Sequence, residues 1–404
     1  MRTFAILAIG LLSTIARAED WPQFLGANRD STTTLKVDAW KELPKPLWTA
    51  EVGEAHSSPI VIDGTVYLFF KVAKKEEEAL AAFDAKTGEK KWEKSYERTK
   101  YTNIFGNGPR STPCFDGGLV YTFGCTGLLT AWDAKTGDRK WQVDTLKEFA
   151  ASNLFFGMST SPTIVGKHVV VMVGGKGGGI VGFDKLTGKV AWQATNDRAS
   201  YASPIVAGDA KSPELIFLTG DHVRSVTAET GKELWDYKFV DALLESSTTP
   251  VKIGDVIVAG SVKSGSVGLK LDGTGVKELW KNEKLTCYFS TPVAVGKDLY
   301  MINGEAKFPG ASISLRCVDP ATGKVKWEKD KLGEYHAAIL YTANGKLLLL
   351  DDLGTLRLIE PNPKEYTELA KGKLCGKTWA HPATADGRLF VRDDKKLMAV
   401  ELAK

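Results

Sequence analysis

Apolar and polar positions alternate along this chain in short runs, and the runs themselves repeat. Six copies of one opening stand at SSPIVIDGTVYLFF (57–70), STPCFDGGLVYTFG (111–124), TSPTIVGKHVVVMV (160–173), ASPIVAGDAKSPELIFLT (202–219), TTPVKIGDVIVAG (248–260) and STPVAVGKDLYMING (290–304). Looser seventh and eighth copies are AAILYTANGKLLLLDD (337–352) and AHPATADGRLFVRDD (380–394). In each, Val, Ile, Tyr and Phe alternate with smaller or polar residues around a two-residue turn, the pattern of half-buried strands. The Asp-Gly, Asn-Gly and Gly-Lys pairs suit such turns because Gly and Asn accept positive φ at little cost. No stretch predicts an amphipathic helix of three turns, and KVAKKEEEAL (71–80) reads as an elongated loop. GGKGGG (174–179) lies between two strands, with no helix behind it, and reads as a turn and not as a phosphate loop.

The unit closes on D-x-x-T-G-x-x-x-W, clearest in AFDAKTGEKKW (82–92), AWDAKTGDRKW (131–141), GFDKLTGKVAW (182–192) and CVDPATGKVKW (317–327). TAETGKELW (227–235) and LDGTGVKELW (271–280) are looser copies, so Trp92, Trp141, Trp192, Trp235, Trp280 and Trp327 mark successive units. The Asp side chain can accept backbone N–H groups in the turn between third and fourth strands, and Gly supplies its unusual dihedral. The Trp then falls on the outermost strand, placed to cover the junction between units. A period of this length with four strands per unit predicts an all-β, eight-bladed β-propeller of four-stranded antiparallel blades. The eighth unit stops without a Thr-Gly turn or a Trp, whereas PLWTAEV (46–52) holds an orphan Trp48 ahead of the first unit. An N-terminal strand carrying Trp48 should therefore complete the last blade and remove its free edge. The seventh unit replaces the Thr-Gly turn by Pro-Asn-Pro in IEPNPKEYTEL (359–369), with Tyr366 as the candidate for the Trp role.

The A-x-D-x-x-T-G-x-x-x-W units resemble the quinoprotein-type, PQQ-like propeller repeat over roughly 46–404. That class includes quinone-dependent alcohol dehydrogenases and the outer-membrane assembly lipoprotein, itself an eight-bladed propeller. DWPQFLGANRD (20–30) resembles the segment that precedes the propeller in secreted members. In the dehydrogenase branch the resemblance implies a pyrroloquinoline quinone with Ca²⁺ in the central pocket, packed between a disulfide of adjacent cysteines and a Trp. Here Cys114, Cys125, Cys287, Cys317 and Cys375 are all isolated, so that pair is missing. No cofactor is expected, with PQQ plus Ca²⁺ or a transition metal as the alternative.

Residues 1–18 combine Arg2, an apolar run and an Ala16-Arg17-Ala18 cleavage site, which reads as a secretory leader. The organisation expected is then a leader at 1–18, an extension at 19–45 and one propeller domain at 46–404, exported to the periplasm or otherwise beyond the cytoplasm. The formal charge of +4 drops to +2 once Arg2 and Arg17 leave, giving no electrostatic case for nucleic acid or anionic membrane. No further stretch predicts a transmembrane segment. Five sparse cysteines make no disulfide framework; a Cys114–Cys125 bridge within one hairpin and isolated buried thiols are both open.

HExxH, CxxC, GxSxG and P-loop signatures are absent. The place to look for a ligand is the end of the central channel, where each innermost strand begins. Aligned on the unit's proline, the residues three positions earlier are His56, Arg110, Ser159, Tyr201, Ser247, Phe289, His336 and Trp379. His381, two residues after Trp379, should face the same side. Ring closure would let His56, His336 and His381 converge as a metal site, although a wide channel mouth and the lack of a carboxylate argue against it. Tyr201, Phe289 and Trp379 with Arg110 and the histidines could instead bind a carbohydrate, aromatic or peptide group, or merely line a wet channel. Glu245, Tyr288, Glu334, Tyr335 and Lys377 are rim candidates. The expectation is a secreted, non-catalytic scaffold for a protein partner or extracellular polymer, with a channel-centred enzyme, including a divergent quinone-dependent dehydrogenase, as the alternative.

Overall fold

The computed structural model describes residues 20–209, 211–273 and 275–402, so the leader predicted at 1–18 lies outside the described residues. Among those residues the strands form eight four-stranded antiparallel sheets. Blade 1 runs outward through Ile60–Ile62, Thr65–Lys71, Glu77–Asp84 and Lys90–Glu97. Blades 2 to 7 repeat that order within 114–144, 163–194, 205–238, 251–282, 293–329 and 337–373. Blade 8 takes Ala383–Ala385, Arg388–Arg392 and Lys396–Glu401 from the end of the chain, and its outermost strand, Trp48–Glu51, from the beginning. The closing register runs from Trp48 opposite Ala399 to Glu51 opposite Lys396. Leu47 N–H donates to Ala399 O and Val52 N–H to Lys395 O, both at 2.8 Å. Among the described residues the only helix is the single turn Thr145–Glu148, capped by Asp144.

Two devices repeated in the sequence lock neighbouring blades. At the outer rim, the Thr-Gly glycine of one blade lies beneath the Trp of the blade before. A Cβ at Gly137 would come within 2.6 Å of Trp92, at Gly188 within 2.6 Å of Trp141, and at Gly323 within 2.5 Å of Trp280. These glycines also have positive φ, 74°, 70° and 67°, so both the turn and the close approach exclude a side chain. The indole N–H then reaches the next blade's turn, Trp141 to Lys185 O at 3.0 Å and Trp280 to Pro320 O at 2.8 Å. Within the turns, Asp84, Asp133 and Asp184 each accept two backbone N–H groups at 2.9 to 3.1 Å.

At the inner rim, the residue before the proline bonds to its counterpart in the next blade. Ser58 N–H donates to Thr112 Oγ1 at 3.3 Å, Thr112 N–H to Ser161 Oγ at 3.0 Å and Ser161 N–H to Ser203 Oγ at 2.9 Å. Thr249 N–H donates to Thr291 Oγ1, and His381 N–H of blade 8 donates to Ser58 Oγ of blade 1 at 2.8 Å. A small hydroxyl residue recurs before proline because it is the acceptor in this seam.

The N-terminal extension is part of the propeller. Trp21 pairs with Val61 in blade 1, Phe115 N–H of blade 2 donates to Pro22 O, and Thr33 bridges to Thr384 of blade 8 at 2.6 Å. Tyr341 N–H of blade 7 donates to Ser31 O at 2.9 Å. Buried Arg29 donates to Pro162 O at 3.0 Å and Pro204 O at 3.1 Å, at the start of blades 3 and 4. Burial lowers its pKa to about 10. Residues 21–35 thus cross the channel from blade to blade and close it from one side.

Two expectations are corrected. KVAKKEEEAL is not an elongated loop: only 72–76 turn, and Glu77–Asp84 is a strand. Glu78 enters the core because Arg98 Nη1 meets it at 3.0 Å, Tyr96 OH at 2.7 Å and Cys125 N–H at 3.1 Å, partners no local pattern announces. Tyr366 does not take the Trp role. The register that pairs Cys317 with Trp327 in blade 6 pairs Leu358 with Ala370 in blade 7, so Ala370 stands at the Trp position. Tyr366 instead packs edge-on against Trp327 of the preceding blade, at 6.0 Å between centroids. Trp40 and Leu43 of the extension pack on the core that contains Ala370. Of the two readings left open for Cys114 and Cys125, the structure has the isolated buried thiols; all five cysteines are free and buried.

Candidate functional site

The eight residues three positions before the proline, from His56 to Trp379, all line one central cavity of about 110 Å³. Proline and turn fix the register of each innermost strand, so one position per blade is delivered to the same ring. One step deeper stands a second tier, Ser58, Thr112, Ser161, Ser203 and His381, from the hydroxyl seam. Phe24 of the extension forms the floor, its ring edge-on to His381 at 5.1 Å. The channel is therefore a blind socket.

Its electrostatics are uneven. Arg110 is the cation of the lining, held by Gly106 O at 3.0 Å and Gly108 O at 2.9 Å within its own loop. No carboxylate lines the socket among the described residues. His336 turns Nδ1 to Phe289 O at 2.9 Å, which places the proton of the neutral ring on Nδ1, and leaves Nε2 buried without a partner. His381 likewise has a buried, unpartnered Nδ1. Burial lowers the His336 pKa to about 4 and pushes His381 well below its ordinary value. Burial, then the charges of Arg110 and Arg392, does the same to His56. All three imidazoles are neutral near pH 7.

The histidines share the cavity but do not form a trio. His336 and His381 meet at 5.4 Å between centroids, whereas His56 packs edge-on against Trp379 at 5.0 Å. Among the described residues no group of three His, Cys, Asp or Glu is disposed to hold a metal ion.

The mouth is narrow, contrary to expectation, because loop aromatics crowd over it. Phe289 lies 4.9 Å from Trp379 and 5.8 Å from Phe156, and Tyr288 stacks on Phe289 at 3.6 Å. Phe105 contacts Phe308 at 4.6 Å and Trp379 at 5.9 Å, and Phe308 stacks on Tyr335 at 4.7 Å. The collar continues outward to solvent through Ile104, 84% exposed, and Phe155, 65% exposed. Phe24, Phe105, Phe155, Phe156 and Phe308 were not among the sequence candidates; large apolar residues inside otherwise polar loops were the available signal. Of the rim candidates, Tyr288 OH bonds to Glu245, while Glu334, Tyr335 and Lys377 line an adjoining groove of about 540 Å³ with Glu54, Asp352 and Asp394. His56, Phe105 and Trp379 are the wall between groove and socket.

The family described as outer membrane protein assembly factor BamB matches residues 32–111 and 76–329. Among solved structures, BamB from Moraxella catarrhalis is similar with a TM-score of 0.62 at 17% identity, covering 88% of this chain and 96% of its own. Quinohemoprotein alcohol dehydrogenase ADHIIG from Pseudomonas putida HK5 is similar with a TM-score of 0.65 at 14% identity, covering 95% of this chain and 80% of its own. A europium-containing methanol dehydrogenase gives 0.64 at 13% identity, covering 94% of this chain and 89% of its own. No curated protein sequence matches. At these identities the structures share the fold alone. The lining does not fit a calcium-bound quinone. Calcium takes about six to eight oxygens, carboxylates prominent among them, and the socket offers hydroxyls, imidazoles and a guanidinium. A tricyclic quinone also needs more room than about 110 Å³, and no cysteine lines the cavity.

Proposed function

Because the chain belongs to the family described as outer membrane protein assembly factor BamB, we propose that it is a non-catalytic propeller scaffold that works beyond the cytoplasm and docks a protein partner on its loop face. The observation that carries this reading is the aromatic collar, which ends in exposed Ile104 and Phe155 around a socket without carboxylate or activated nucleophile. Contiguous exposed apolar surface on a soluble fold marks an interaction site, and aromatic side chains are the usual anchors of protein interfaces. The opposite face carries the Asp-x-x-Thr-Gly turns, whose polar groups are spent on the turns themselves.

A photoreactive side chain at Ile104 should crosslink to a discrete protein in cells expressing the chain, whereas one at Leu186, 67% exposed on the turn face, should not. Equal labelling from both faces, or alcohol oxidation sustained by added quinone and calcium, would overturn the scaffold reading.

A further inference from the structure

Resting on that reading, the chemistry of the socket also specifies what the partner brings to it. We propose that the socket receives one neutral, hydrogen-bond-donating aromatic side chain, a tyrosine, from a polypeptide whose flanking residues are basic.

Size limits the guest first. A closed cavity of about 150 Å³ holds one benzene, so about 110 Å³, open at the mouth, admits a single ring whose edge stays in the collar. Charge limits it next. Arg110 in the wall opposes a cation, and no carboxylate lines the cavity to offset that. Hydrogen bonding decides the rest. Nδ1 of His336 is engaged with Phe289 O, so Nε2 is a lone-pair acceptor, buried and unpartnered, and His381 Nδ1 beside it is unpartnered too. A buried polar atom without a partner is left unfavourably desolvated, and a donor at the guest's tip would satisfy it. A carboxylate offers no proton for that acceptor, and a plain phenyl ring leaves it unmet. Tyr combines a single ring with an O–H, and it is enriched among the residues that dominate interfaces.

The neighbouring groove indicates what flanks the anchor. Across the wall of His56, Phe105 and Trp379, four carboxylates, Glu54, Glu334, Asp352 and Asp394, face two lysines, Lys377 and Lys395. A chain leaving the socket over Trp379 enters a negative field that favours Lys or Arg.

Titration of the wild-type protein with p-cresol and with 4-methylanisole, followed by NMR, separates donor from ring. p-Cresol should bind about tenfold tighter, the equivalent of one hydrogen bond. Equal affinities would remove the donor requirement, and failure of both to bind at the socket would remove the socket. His336→Phe should abolish the preference while keeping 4-methylanisole; should that variant not fold, the wild-type ligand pair still decides. N-acetyl-Tyr-Lys-Lys-amide should bind better than N-acetyl-Tyr-Glu-Glu-amide at low salt, with the gap closing at high salt. A preference for the acidic peptide, or none, would overturn the basic flank. Displacement of p-cresol by chitotetraose but by neither peptide would replace the polypeptide with a polysaccharide. A silent crosslinker at Ile104 with intact p-cresol binding would sink the scaffold and spare the socket chemistry, and the reverse result would do the opposite.

Discussion

Ser161 in blade 3 and His381 in blade 8 occupy the same position before proline, yet they do different work. Ser161 accepts a hydrogen bond from Thr112 and donates its own N–H to Ser203, so it is wholly absorbed in the seam between blades. His381 donates its N–H to Ser58 and turns an imidazole with a buried, unpartnered nitrogen toward His336. The outer rim shows the same contrast. Blades 1 to 6 each carry a Trp there, whereas blade 7 has Ala370 and blade 8 borrows Trp48 from the N-terminus. Where the repeat is kept, residues stabilise their neighbours; where it lapses, distant segments fill the gap, and the side chains freed from the seam face the socket.

The sharpest way to break this contrast is to remove the borrowed parts. A chain beginning at Gly53 lacks both the strand pairing with Lys396–Glu401 and the segment that closes the channel. The outer edge of blade 8 would open and the inner strands of blades 1 and 7 would lose their bridges, so the loss should exceed about 5 kcal/mol, the lower end of the stability of an ordinary domain. Urea unfolding followed by fluorescence should then show no cooperative transition. A transition with an unchanged midpoint would mean that blades 1 to 7 stand without closure.

That closure was legible in the sequence because Trp48 is an orphan of a period that the last unit leaves unfinished. The ring from His56 to Trp379 was legible for a related reason: proline and turn pin each inner strand, and period-two geometry then fixes which way each residue faces. Phe24, Phe105 and Phe308 were not legible. They lie in loops and an extension, where no period applies and the partner is set by closure of the ring. Glu78 was hidden because its burial depends on Tyr96, in the next strand, and on Arg98, just beyond its end. Tyr366 misled because an aromatic in the right stretch was taken for the right register, which a bulge beside Leu358 decides.

The outer rim gives the second test. Trp280 is 9% exposed, covers Gly323 and donates to Pro320 O, so Trp280→Ala should cost about 3–5 kcal/mol through the cavity it leaves. Restoring the repeat in blade 7 should also destabilise. Ala370→Trp forces an indole into a core on which Trp40 and Leu43 already pack, at a cost of about 1–3 kcal/mol. Calorimetric melting of both variants decides the point, and a stabilised Ala370→Trp protein would show that the extension does not fill the missing Trp's place.

The smallest effect concerns the socket histidines, and its sign follows from burial. His336 has its pKa lowered from 6.5 to about 4, so between those values the unfolded chain binds a proton that the folded chain refuses. Stability from this group is complete above pH 6.5 and is lost as pH falls toward 4, about 2 kcal/mol of it by pH 5. His381 and His56 are pushed down too and add losses of the same sign. A hydroxyl in blade 3 titrates nowhere in this range, so the acid sensitivity belongs to the blades that carry a socket histidine. Carboxylates change charge in the same window, so the informative quantity is the difference between the wild type and His336→Gln. Urea midpoints measured from pH 7 to pH 4 should fall less steeply in the variant. Parallel curves would mean that His336 is protonated in the folded protein, and the acceptor it lends to the socket would be lost with it.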